Sequence, residues 1–128
     1  MLTNKFKINP KIKESLKINK PVVALESTLI SHGLPYPENI NVAKESIKAV
    51  EDSGSIAATI GIINGEIIIG LNDNEIELLA TSKNVAKVSL NNIALSLFHK
   101  QNAATTVATT INIASKIGIK FFATGGIG

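Results

Sequence analysis

The stretch IAATIGII-NG-EIIIG, residues 56–70, constrains this chain more than any other. Two apolar runs flank Asn64-Gly65, the dipeptide that accepts positive φ at both centres of a type I′ turn. It predicts a β-hairpin, and the rest of the chain has to be arranged around it.

Strand and helix signals alternate on either side. PVVAL (21–25) is a short apolar, β-branched run, expected as a buried strand, and ESTLISHG follows as a loop. A helix is predicted from Pro37, carrying Val42, Ala43, Ile47 and Val50, to a stop at Gly54. NDNEIELLA opens another, with Asn72 as cap and Glu75 three residues on in a capping-box arrangement. NVAKVS reads as a short strand, with Ser89 capping a helix over 90–100. ATTVATTINIASKIG reads as a helix closing at Gly118, and IKFFAT as a further strand. Residues 1–20 form a polar lead-in with a short helix, where Pro10 suits the first turn and Ile12 and Leu16 share a face. The expected class is α/β, a mixed sheet flanked by helices, with the lead-in at 1–20 and the α/β portion at 21–128.

Composition limits what such a domain can do. At 128 residues and 45% hydrophobic, the chain is globular and about one domain long. It has no cysteine, hence no disulfide framework and no Cys-based zinc site. No apolar run approaches the roughly 18–20 residues that cross a bilayer, and Glu26 interrupts the first apolar stretch, so a cytoplasmic protein is expected. The first 20 residues hold six lysines and one glutamate, and the other 108 hold seven lysines and nine acids. The body is therefore not basic, which argues against nucleic acid as partner. All 13 basic residues are lysine, so a bound anion would rely on ammonium groups, backbone N–H and helix N-termini.

Ligands of open α/β sheets gather at the carboxyl ends of strands. Glu26 after PVVAL, Lys87 within NVAKVS and TGGIG after IKFFA occupy such places. A carboxylate at the junction of apolar strand and loop is either a proton donor or a cap for nearby N–H groups. Lys87, between Ala86 and Val88, either meets an anion or guards an edge strand. His32 in SHG is either a ligand or a loop hydrogen-bonder, and His99 suits a helix C-terminus at the surface. Thr105 and Thr106 in AATTVATT place hydroxyls near a helix start, where they hold a phosphate or simply cap. TGGIG lacks the full dinucleotide fingerprint. Residue by residue, the reading ends at an α/β domain for a small anionic ligand.

Taken together, PVVALESTLISHGLPYP, ATIGIINGEIIIGL, IELLA, NVAKVS, NAATTVATTINIA and GIKFFATGGIG resemble the N-terminal part of the pseudouridine-5′-phosphate glycosidase, or indigoidine synthase A, family. The resemblance implies a manganese-dependent, reversible cleavage of pseudouridine 5′-phosphate into uracil and ribose 5-phosphate. A lysine forms an imine with the opened sugar, and a glutamate handles the proton at the uracil carbon. It implies that Glu26 is that glutamate, that Lys87 binds substrate and that Val107 is a backbone substrate contact. It also implies homo-oligomers for full-length members. Their metal-binding aspartate, serine-containing loop and imine-forming lysine have no counterpart here, so the expectation is a domain incomplete relative to the family's. Such a chain is expected to be inactive alone, with a C-terminal polypeptide as the partner that would complete it. The alternative is a non-catalytic α/β remnant that binds a small anion or self-associates.

Overall fold

Asn64 and Gly65 adopt φ of 50° and 76°, as the hairpin requires. A Cβ on Gly65 would lie 2.8 Å from both the Leu97 carbonyl oxygen and the Lys100 Cα, so the turn accepts only glycine. In this computed structural model, which describes residues 6–125, the hairpin is the middle of a seven-stranded mixed sheet. Its arms are β3 (Ile56–Ile63) and β4 (Glu66–Ile69), paired antiparallel. The other strands are β1 (Phe6–Ile8), β2 (Val22–Leu25), β5 (Val85–Val88), β6 (Asn102–Thr105) and β7 (Phe121–Ala123).

Strand β3, eight residues long, organises the rest. On the flank opposite β4 its first half pairs in parallel with β2, and its second half antiparallel with β6. β2 and β6 therefore lie end to end along one flank of β3, carboxyl ends facing. β7 extends the sheet in parallel beyond β2, β5 in parallel beyond β6, and β1 in parallel beyond β4.

Helices cover both faces, as a largely parallel sheet demands. Ile56, Ala58, Ile60 and Ile62 of β3 pack with Ile12 of α1 (Pro10–Lys17), Ile93 of α4 (Ile93–Phe98) and Ile113 of α5 (Val107–Lys116). On the other face Ile68 and Ala104 pack with Ile40 of α2 (Glu38–Asp52) and with Ile76 and Leu79 of α3 (Asp73–Thr81). Each such isoleucine or leucine contributes about 1.5–3 kcal/mol when fully buried.

Helix boundaries follow the predicted signals where the caps are local. Pro37 occupies the N-cap of α2, and Gly54 beyond its end has φ of 88°. Asn72 and Glu75 form the complete capping box of α3, with hydrogen bonds of 2.9 and 2.8 Å. Four segments depart from expectation. Phe6–Ile8, within the lead-in, form β1, because the open edge of β4 leaves backbone groups that they pair. Asn9 then caps α1 and also donates to the Gly70 carbonyl at 3.2 Å. Residues 29–33, expected as loop, make a π-helical turn. The helix expected over 90–100 is shorter, with Asn92 rather than Ser89 at its N-cap, and the Ser89 N–H donates to Asn92 Oδ1 at 2.8 Å. The predicted helix containing AATT begins only at Val107. Asn102–Thr105 are strand β6 instead, held between β3 and β5, where two alanines fit beneath two helical layers.

Candidate active site

The facing ends of β2 and β6 bring the chemistry-bearing residues to one junction. Leu25 pairs with Thr59 on one side and Ala123 on the other, while Val88 pairs with Thr105. The carboxyl ends of β2 and β7 thus arrive from one direction and those of β5 and β6 from the opposite one.

Glu26 is the first residue beyond β2 and is half-buried. The Thr124 hydroxyl, just beyond β7, donates to Glu26 Oε1 at 2.6 Å. Both line a cleft of about 320 Å3 whose remaining wall includes Thr59 and the α2 residues Ala43, Ser46 and Val50. The wall is mostly apolar, with an oriented carboxylate at one side. That suits a small, partly apolar ligand held at one edge by a hydrogen-bond acceptor.

Behind Glu26 lies a buried hydroxyl network. The Thr105 hydroxyl donates to the Ile60 carbonyl at 2.8 Å and stands 2.8 Å from the Thr110 hydroxyl and 3.3 Å from that of Ser27. Ser27 Oγ accepts the Thr105 N–H at 2.8 Å, and Thr28 Oγ1 donates to the Thr105 carbonyl at 2.8 Å. On the far side, the Thr109 hydroxyl and the Thr106 N–H both donate to the Val88 carbonyl, at 3.0 and 3.1 Å. Ser27, Thr105, Thr109 and Thr110 are buried, and no buried side-chain polar atom among the described residues lacks a partner.

The other candidates fall around this junction. Lys87 is exposed on β5, which pairs only with β6 among the described strands, so it sits on a sheet edge and does not line the cleft. Val107 is the half-buried first residue of α5, and Thr106 is its N-cap, whose hydroxyl accepts the Thr109 N–H at 3.4 Å. Thr105 is on a strand end, not in a helical first turn. His32 is exposed in the π-helical turn and does not line the cleft, although Leu29 and Ile30 of the same turn do. His99 follows α4 with its ring edge-on to Phe98. Of the tail TGGIG, Thr124 and Gly125 line the cleft, and residues 126–128 lie outside the described residues. Sequence reasoning passed over Thr124 and Ser27, whose partners lie far away in the chain; 98 residues separate Thr124 from Glu26 and 78 separate Ser27 from Thr105. Among the described residues no group of three or more His, Asp or Glu could hold a metal ion, and no helix is long and apolar enough to cross a membrane.

A mixed sheet between two helical layers, with a carboxylate and a cleft where strand ends meet, defines an α/β protein of the kind that takes a small ligand at its strand termini. The family described as indigoidine synthase A like protein matches residues 11–128, and the chain belongs to it. It is 53% identical over 119 residues to a pseudouridine-5′-phosphate glycosidase of Symbiobacterium thermophilum, covering 93% of this chain and 39% of that protein. The corresponding Staphylococcus aureus protein is 51% identical, with 91% and 38% covered. The chain thus spans about two fifths of the length of these relatives. Among solved structures, the prealnumycin C-glycosynthase AlnA, determined in complex with ribulose 5-phosphate, superposes with a TM-score of 0.85 at 40% identity, covering 96% of this chain and 39% of that one. An indigoidine synthase A-like protein of Thermotoga maritima gives 0.82 at 32% identity, covering 96% and 40%.

Proposed function

We propose that this chain carries the proton-transferring part of a pseudouridine-5′-phosphate glycosidase site, acting on a carbon–carbon bond between a base and a sugar phosphate. The observation that carries the reading is Glu26, fixed by Thr124 at 2.6 Å on the wall of an apolar cleft. Relatives at about half identity bear that activity in their names, and AlnA, named for C-glycoside synthesis, was determined with a pentulose phosphate. In this reading the Glu26 carboxyl gives a proton to the uracil carbon as the bond opens and takes one back in the reverse direction. The Thr124 hydroxyl holds one carboxylate oxygen, and the apolar wall keeps water from competing for the proton. Lys87 and the N–H of Val107 serve the sugar phosphate. Among the described residues no group of three or more His, Asp or Glu assembles a ligand set for manganese. We place the protein in the cytoplasm and the full-length family's site in a homo-oligomer.

The electron sink for the bond is the weak point of the chain by itself, because the family's imine-forming lysine has no match in this sequence. We expect residues 1–128 alone to release no uracil from pseudouridine 5′-phosphate, with or without manganese. Release should appear when a polypeptide carrying the unmatched region of a relative is added. In that mixture Glu26→Gln should lower turnover by about 10²–10⁴-fold, and turnover within a few-fold of the parent would remove Glu26 from the chemistry. Lys87→Ala should weaken ribose 5-phosphate binding. Equal affinities would leave Lys87 as an edge-strand guard only. The competing reading, a non-catalytic domain that binds a small anion or self-associates, draws on the two-fifths coverage of the relatives. Metal-independent silence of the reconstituted mixture would favour it.

A further inference from the structure

The three residues assigned to the proposed site sit on three different segments, and each is next in sequence to a residue hydrogen-bonded within the hydroxyl network. Glu26 precedes the buried Ser27, Lys87 precedes Val88, whose carbonyl accepts from the Thr109 hydroxyl and the Thr106 N–H, and Val107 follows the half-buried Thr106. Thr105 lies at the centre. A threonine hydroxyl has one proton to give and two lone pairs to accept with. The Ile60 carbonyl can only accept, so the Thr105 proton goes there, at 2.8 Å. Ser27 and Thr110 must then both donate to Thr105, at 3.3 and 2.8 Å. The Thr105 hydroxyl is saturated, and every hydroxyl direction around it is fixed. Its main chain is engaged as well: its N–H goes to Ser27 Oγ, and its carbonyl accepts from Thr28 Oγ1 at 2.8 Å and from the Ser27 N–H at 3.4 Å. The two residues that follow Glu26 are therefore tied to Thr105 four ways. Lys87 is tied through the register Val88↔Thr105 and through the Val88 carbonyl that Thr106 and Thr109 share.

A purely structural role would not need this chemistry. Where both partners of a buried hydrogen bond become apolar groups of equal shape, stability changes little, and the sheet beside Thr105 is filled with isoleucine and alanine. A hydrogen-bond network adds direction, which apolar packing lacks. Resting on the glycosidase reading, we infer that Thr105 is the positioning residue that sets where Glu26, Lys87 and Val107 stand relative to one another.

The test uses the full chain with Thr105→Val, which keeps volume and loses the hydroxyl, and Thr105→Ser, which keeps the hydroxyl and loses a methyl. NMR follows the Glu26 side-chain carboxyl carbon and the backbone amides of Lys87 and Val107, and ribose 5-phosphate is titrated as the probe. In Thr105→Val all three sets of resonances should move together. The Kd should rise about tenfold, the result expected when roughly one molecule in ten holds the competent arrangement. Thr105→Ser should restore the parent resonances and affinity. Unchanged resonances and affinity in a folded Thr105→Val overturn the inference, and so does a serine variant that restores nothing, since the effect would then belong to packing. Should Thr105→Val fail to fold, the half-buried Thr28→Val decides. It removes one tie two residues past Glu26, and a Glu26 resonance that stays in place overturns the inference. A parent chain with no affinity for ribose 5-phosphate counts against the glycosidase reading, while the resonances still decide the positioning role.

Discussion

Ile60 and Thr105 touch across the sheet through a hydrogen bond of 2.8 Å, and both are fully buried. They belong to two regions built on different principles. Around Ile60 the hairpin is a block of isoleucines, Ile62, Ile67 and Ile69 among them, with nothing polar between. Its stability scales with apolar area and packed volume, so equal-volume apolar exchanges there are tolerated. Around Thr105 the same sheet is closed by hydroxyls, each with a defined donor or acceptor role. Equal volume is not enough there, because an orphaned partner retains its full desolvation cost. The lesson is one of division: the dry half makes the fold, and the hydroxyl half fixes the geometry next to the candidate acid.

The largest expected effect breaks the dry half. Ile67→Ala should lower unfolding free energy by about 2–5 kcal/mol, measured by denaturant titration; a loss below that range would mean that the hairpin arm is not close-packed. Next comes the turn that allows the hairpin. Gly65→Ala places a Cβ 2.8 Å from backbone atoms at φ of 76° and should cost about 1–3 kcal/mol; a neutral result would show that the turn relaxes freely. The sharpest comparison sets Thr109→Val, which is isosteric, beside Ile62→Val, which removes a methyl. The threonine change should cost about 1–3 kcal/mol, because it removes two hydrogen bonds of about 0.5–1.5 kcal/mol each, one to the Val88 carbonyl and one with the Thr106 hydroxyl. The isoleucine change should cost only about 0.5–1.5 kcal/mol. If the two are reversed in the same melting experiment, the division by volume and direction is wrong. The smallest effect lies outside both halves. Lys48 and Asp52 pair at 2.7 Å on the exposed face of α2, and Lys48→Ala should cost no more than about 0.5 kcal/mol, a loss that salt removes.

Legibility in the sequence follows the same division. The hairpin, the α2 limits and the α3 capping box were readable because their determinants lie within a few residues: Asn64 beside Gly65, Pro37 and Gly54, Asn72 and Glu75. Glu26 was readable as a candidate from its place after PVVAL. Strand β6 was not, because asparagine and alanine, three of its four residues, are depleted in strands. Asn102–Thr105 become a strand because β3 and β5 each present an edge to them. β1 escaped for the same reason: three residues among lysines are made a strand by β4. The threonines of AATTVATT were visible as a cluster, but their link to the residues after Glu26 leaves no local trace. Ser27 and Thr105 are 78 residues apart, and only the end-to-end arrangement of β2 and β6 brings them together.

That end-to-end arrangement has a consequence in time as well as space. A site on a loop samples its own brief openings, whereas the backbone around Glu26 is continued into the next strand through Ser27 and Thr105. The Thr105 N–H, bonded to a buried serine oxygen, has no way to meet solvent that does not part β2 from β6. Its exchange with deuterium is therefore tied to opening of the sheet itself, at the slow end of the range for the molecule. A carboxylate so mounted, one residue beyond β2, keeps its orientation, and any closure around a ligand would come from the surface turns, not from the strand that precedes it.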